Sequence, residues 1–146
     1  MQPHHDYPAV DLMMPSGTPV FAITAGQVVR TTLFNANWWT AGCDGGNPPV
    51  GCATCGMGIT IQADNGLRAT YCHNSVLLVI GGDHVTVGQH ISNSGDTGRS
   101  GASHLHLELH YAGQRRCPQT LVAAIFNNAP VPDLAALPTG GCTFQP

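Results

Sequence analysis

The hydrophobic pattern is clearest at Ser103-His104-Leu105-His106-Leu107-Glu108-Leu109-His110, where leucine alternates with polar residues at a period of two. That period predicts a β-strand, with Leu105, Leu107 and Leu109 turned to a core and His104, His106, Glu108 and His110 on the other face. At about 3.3 Å per residue, His104 and His106 stand roughly 6 to 7 Å apart, near enough to serve one centre, whereas His110 lies too far along. Short apolar runs predict further strands at Val20 to Ile23 and Gly26 to Leu33. A hairpin is expected from Gly58 to His73, turning at Asp64-Asn65-Gly66. On its second strand, Leu67, Ala69, Tyr71 and His73 are expected to share a face, with Cys72 opposite. Val76 to Ile80 and Val85 to Ser92 lead into a turn over Ser94 to Gly101, and His84 and His90 read as surface residues.

Only Cys117 to Phe126 has helical character, opened by Gln119 or Thr120 and closed by Asn127-Asn128. The segment from Asn35 to Val50 is too rich in Gly, Pro and Asn for regular structure and reads as a long loop. Its Trp38-Trp39 pair either lines a groove or caps the core. The expected fold is all-β: an antiparallel two-sheet core with an open groove and at most one short helix. Residues 1–128 form the domain, and the Pro- and Gly-rich stretch 129–146 is a tail packed on it.

Composition narrows the classes. The chain has 146 residues, 42% of them hydrophobic and 9% charged, with 18 Gly and 11 Pro, which suits one folded, loop-rich domain. Its five basic residues are all arginine against eight acids, a net charge of −3 that is no nucleic-acid footprint. No apolar run reaches the roughly 18 residues of a membrane span, and the N-terminus lacks the charged and apolar regions of a signal peptide. Met1 stands close to the first chemically interesting residues, as in a domain cut from a longer protein. Six cysteines suggest an oxidising destination and three disulfides. Fifteen pairings are open to them, with Cys142 a candidate to pin the tail to Cys117. Cys52-Ala-Thr-Cys55 has no second pair to complete a structural zinc site, so disulfide staples are the better reading.

The candidate chemistry falls in three places: His4-His5-Asp6-Tyr7-Pro8-Ala9-Val10-Asp11, the strand end at His73, and the pair His104 and His106. Two neutral imidazoles and a carboxylate make a three-ligand zinc site whose open fourth position holds water. A neighbouring histidine that is not a ligand can take the water's proton or hydrogen-bond the developing oxyanion.

Taken in order, these motifs resemble the lysostaphin-type (LytM and LasA-like) zinc endopeptidases that cut peptidoglycan cross-bridges. The resemblance runs from about His4 to Leu109. It includes His4 to Asp11 with the turn Pro15-Ser16-Gly17-Thr18-Pro19, Gly26-Gln27-Val28-Val29, Tyr71-Cys72-His73, Val87-Gly88-Gln89, Ser94 to Ser100 and His104-Leu105-His106-Leu107-Glu108. It implies a Zn2+ cofactor held by His4, Asp11 and His106, with His73 and His104 catalytic. The substrate it implies is a peptidoglycan peptide, cut by a monomer at the bacterial cell wall, outside the cytoplasm or on a phage virion. The family's histidine four residues before the ligand aspartate is here Tyr7, so the first ligand falls to His4 or His5, of which His4 is taken. The rival reading is an inactive module on the same fold that binds peptidoglycan or activates another hydrolase. Whether the bond cut is a glycine bridge or a D-alanyl to diamino-acid link stays open.

Overall fold

The computed structural model describes residues 1–3 and 7–142. Among the described residues, ten strands form one antiparallel sheet: β1 (Gln2–Pro3), β2 (Val10–Met13), β3 (Pro19–Phe21), β4 (Gly26–Leu33), β5 (Met57–Gln62), β6 (Arg68–Leu77), β7 (His84–Val85), β8 (His90–Ser94), β9 (His104–Tyr111) and β10 (Gln114–Arg116). One helix, α1 (Gln119–Phe126), follows, with Asn127 at its C-terminal cap, and a single turn of 3₁₀ helix spans Leu134–Ala136. The all-β expectation and the single short helix are met. The two sheets foreseen are continuous, because one long strand belongs to both.

That strand is β6. The main path runs β1-β2-β9-β6-β5-β4-β7, with β10 on β9 and the β3-β8 pair branching from β6. Residues Arg68 to Cys72 of β6 pair with β9, and Asn74 to Leu77 pair with β8. The changeover falls at His73, whose φ of 68° lies in the left-handed region that a residue with a Cβ seldom adopts. Opposite it, β5 advances two residues, from Ile59 to Met57, while β6 advances three, from Tyr71 to Asn74. This is a β-bulge, and it bends the strand from one neighbour to the next.

The core follows the alternation read from sequence. Leu105, Leu107 and Leu109 are buried, and Ile59, Ile61, Ala69 and Tyr71 of β5 and β6 join them in the core, with Leu67 just before β6. Burying each large apolar side chain contributes about 1.5–3 kcal/mol, so this face holds the sheet's register. Glycine is required where β4 begins: a Cβ on Gly26 would run into the Gln62 backbone. Three disulfides, Cys43–Cys52, Cys55–Cys72 and Cys117–Cys142, close the loops, and they divide the Cys-x-x-Cys pair between two bridges.

Tyr71 joins the core to the β3 end, its hydroxyl accepting the Ile23 N–H at 3.0 Å. Burial pushes the phenol well above its ordinary pKa. Only the unfolded chain then ionises near pH 10, the folded state keeps more protons there, and stability falls as pH rises through that range. Tyr71→Phe leaves the Ile23 N–H without its partner and should lower stability at pH 7 by about 1–2 kcal/mol. It should also flatten the alkaline loss. Urea unfolding at pH 7 and about pH 11 checks both effects, and parallel losses in the two proteins would refute the second.

Candidate active site

The polar face of β9 sets the site. In the sheet register, Asp11 on β2 and Cys72 on β6 flank His106 on either side. Asp11 Oδ1 lies 2.8 Å from His106 Nδ1 and 3.6 Å from His104 Nε2. The other ring nitrogen of His106 meets the Tyr7 hydroxyl at 3.0 Å and Glu108 Oε1 at 3.2 Å. Burial disfavours charge on this imidazole. Its bonds to Asp11 and Glu108 outweigh that and raise its pKa to about 9. Burial likewise opposes ionisation of Glu108, yet bonds to His106 and Tyr7 and the charges of His106 and Arg115 hold it down at about 2.

His73 reaches this face by an unforeseen route. Strict alternation places it with Leu67, Ala69 and Tyr71 in the core. The left-handed bulge adds a residue and turns its ring back toward β9, 4.7 Å from the His104 ring and 5.8 Å from the His106 ring. The conformation costs about 1–3 kcal/mol and is held by bonds on both sides. The His73 N–H donates to Cys55 O at 2.8 Å, on the loop that the Cys55–Cys72 bridge ties to the strand. Its Nδ1 lies 2.7 Å from Thr97 O.

A carbonyl only accepts, so Nδ1 of His73 carries the proton and Nε2 keeps its lone pair. The same logic applies to His104, whose Nδ1 sits 2.7 Å from Ala102 O. Both second imidazoles are thus fixed in one tautomer by the backbone of the 94–103 turn. Gly98, at φ 73°, lets that turn approach the cysteine loop, since a Cβ there would strike Thr54 O. Thr97 is anchored in turn, its hydroxyl donating to Asn74 O at 2.7 Å and accepting the Met57 N–H at 2.9 Å.

Asp11, His73, His104 and His106 therefore share one pocket of ≈ 480 Å³, with Tyr7, Trp39, Arg99 and Glu108 on its walls. His73, His104 and His106 can each present a ligand atom, all within 4.8 Å of one another, close enough to hold a metal ion together. Imidazole nitrogen and carboxylate oxygen suit zinc and similar divalent ions, so the donor set fits the expected cofactor. His4 and its alternative His5 lie outside the described residues. His84 and His90 are exposed, and His90 bonds Asn93 at 2.8 Å, away from the pocket.

Four contributors were not assigned from sequence. Tyr7 was noted only as the place of an absent histidine, yet it bonds His106 there, with the Arg115 guanidinium 4.3 Å above its ring. Its spacing of four residues from Asp11 was the available signal. Glu108 was visible by parity, while Thr97 and Ala102 act through carbonyl groups that carry no side-chain signature. Of the two tryptophans, Trp39 lines the pocket.

The fold and site define an antiparallel β protein with a histidine and carboxylate cluster, able to hold a transition metal, at the floor of an open groove. Residues 5–118 match the model of peptidase family M23. The peptidoglycan DD-endopeptidase ShyA of Vibrio cholerae is 36% identical over 112 residues, covering 77% of this chain and 21% of that protein. The glycyl-glycine endopeptidase ALE-1 of Staphylococcus capitis is 39% identical over 99 residues, 68% of this chain and 23% of its own length. Among solved structures, the catalytic domain of lysostaphin from Staphylococcus simulans superposes with a TM-score of 0.62 at 30% identity, covering 80% of this chain and 79% of that one. The chain belongs to peptidase family M23. It spans about a fifth of the length of these curated relatives.

Burial is the largest influence on His73 and lowers its pKa to about 4. Nitrogen-15 spectra of the metal-free protein should show its ring neutral and protonated on Nδ1 from pH 8 down to about pH 5. A midpoint near the ordinary 6.5, or the opposite tautomer, would contradict the geometry.

Proposed function

We propose that this chain hydrolyses amide bonds in the peptides or cross-bridges of bacterial peptidoglycan, with zinc held by His4, Asp11 and His106. The observation that carries the reading is the convergence of Asp11, His73, His104 and His106, from three separate strands, in one pocket of a family M23 fold. His106 Nδ1 and Asp11 Oδ1 lie 2.8 Å apart, so a metal held by both would displace the proton they share.

When bound, zinc supplies Lewis acidity to the scissile carbonyl and acidifies water toward neutral pKa. The chain's own residues do the rest. His104 and His73 point lone pairs into the pocket because their Nδ1 protons are committed to Ala102 and Thr97. One of these Nε2 atoms takes the proton that water loses as its oxygen bonds the carbonyl carbon. Protonated, it hydrogen-bonds the oxyanion and then gives the proton to the departing amine as the C–N bond breaks. Tyr7 and Glu108 orient His106 through its Nε2, in the manner of partners that fix a ligating imidazole.

We assign the catalytic unit to residues 1–128 and treat 129–146 as a tail on the same body. The Cys117–Cys142 bridge and the bonds of Arg116 Nη1 to Ala135 O and Leu137 O, both 3.0 Å, support the packing of that tail on the body. Three disulfides support work outside the reducing cytosol, and the proposal has the protein act at the cell wall as a monomer. An inactive binding or activating module is the weaker reading, since the pocket retains an imidazole and carboxylate cluster able to hold a metal.

A second ligand set has one observation in its favour, the mutual proximity of His73, His104 and His106. Replacement distinguishes the two. Under the proposal, His106→Ala and Asp11→Ala lose zinc and activity together. His73→Ala and His104→Ala keep zinc near one per chain and slow cleavage of cross-linked muropeptides about 10²–10⁴-fold. Loss of zinc from His73→Ala would favour the three-imidazole set, and full activity in His106→Ala would overturn both.

A further inference from the structure

Beyond the histidine cluster the polar face of the sheet continues as a groove of ≈ 760 Å³, and its residues fall in rows set by the strand register. The row nearest the cluster holds Cys72, His106 and Asp11. The next crosses the sheet as Arg30, Thr60, Thr70 and Glu108. The third is Gln62, Arg68 and His110. Small and hydroxyl side chains, Gly58, Thr60 and Thr70, floor the groove, so an extended peptide can lie on it. Arg68 is four residues from Cys72, which puts its row about 13 Å from the cluster, the span of about four extended residues.

The charges here run against the whole. The chain carries −3, yet two of its five arginines, Arg30 and Arg68, line this groove. Among the described residues, the single carboxylate on its walls is Glu108, which is already engaged by His106 at 3.2 Å and Arg115 at 3.6 Å. Neither Arg30 nor Arg68 has a carboxylate within 4 Å among the described residues. Arg68 is nonetheless held in place, its Nε donating to Gln62 Oε1 at 3.0 Å. An oriented guanidinium over an uncharged floor suits a planar carboxylate.

We infer that Arg68, with Arg30 across β5 in the neighbouring row, forms a carboxylate subsite, and that the chain selects peptides bearing a free carboxylate about 13 Å from the bond cleaved over uncharged bridges. This rests on the proposed hydrolase reading and extends it to substrate class. It bears on a split among the relatives, one of which is named a DD-endopeptidase and another a glycyl-glycine endopeptidase. The groove sides with a stem peptide that retains acidic groups rather than with neutral glycine.

The test uses two cross-linked peptides that differ only in one group, a free carboxylate or its carboxamide at that distance. Wild-type protein with zinc should cleave the acid with kcat/KM about tenfold higher, the difference lying in KM. Arg68→Gln should bring the ratio to about one, and Arg68→Lys should restore part of it. Equal kcat/KM for the two peptides in the wild type, or an Arg68→Gln variant that slows both alike, would overturn the subsite. Binding is followed independently through the Arg68 Nε–Hε resonance during titration with each peptide. A shift specific to the acid without any cleavage would reject the hydrolase reading and keep the subsite. Cleavage of both peptides at one rate would do the reverse.

Discussion

The site depends on one strained residue. At His73 the backbone enters the left-handed region, β6 leaves β9 for β8, and a side chain that alternation would bury in the core emerges beside His104 and His106. An imidazole in this conformation persists only when its surroundings over-determine it. Here the Cys55 carbonyl holds its N–H, the Thr97 carbonyl holds its ring, and the Cys55–Cys72 bridge ties the cysteine loop to the strand. The bulge thus serves the fold by branching the sheet and serves the chemistry by delivering a third imidazole.

The remaining geometry follows from register. Asp11, His106 and Cys72 are neighbours because three antiparallel strands bury leucine, valine and tyrosine on the opposite face, and a slip of one residue would send all three side chains inward. Apolar packing on one side therefore positions donors on the other to within hydrogen-bonding distance. The tautomers of His73 and His104 are fixed by backbone carbonyls. The same sheet face then runs on as the groove, so the residues proposed to read a substrate and those proposed to act on it share one sheet register.

Much of this was legible in the chain. Period-two alternation identified β9, its buried leucines and its two imidazoles, and Asn65-Gly66 marked the hairpin that places β5 beside β6. The order of short motifs brought Asp11, His73, His104 and His106 into one hypothesis, and the pocket holds all four. Parity failed at His73, because a bulge is one extra residue and leaves no trace in hydrophobicity. The part of Tyr7 could not be read because its bond to His106 spans 99 positions and joins residues of unlike type. Two disulfides likewise depended on which loops meet, whereas Cys117–Cys142 was suggested by a tail needing an anchor.

On the proposed reading, these side chains hold a zinc ion and the site cleaves cell-wall peptides. The most direct measurement is to strip the protein with a chelator, dialyse it, and quantify new amine ends released from purified sacculi before and after stoichiometric zinc is returned. The stripped protein should release none, and returned zinc should restore cleavage. Undiminished cleavage by metal-free protein would contradict this reading.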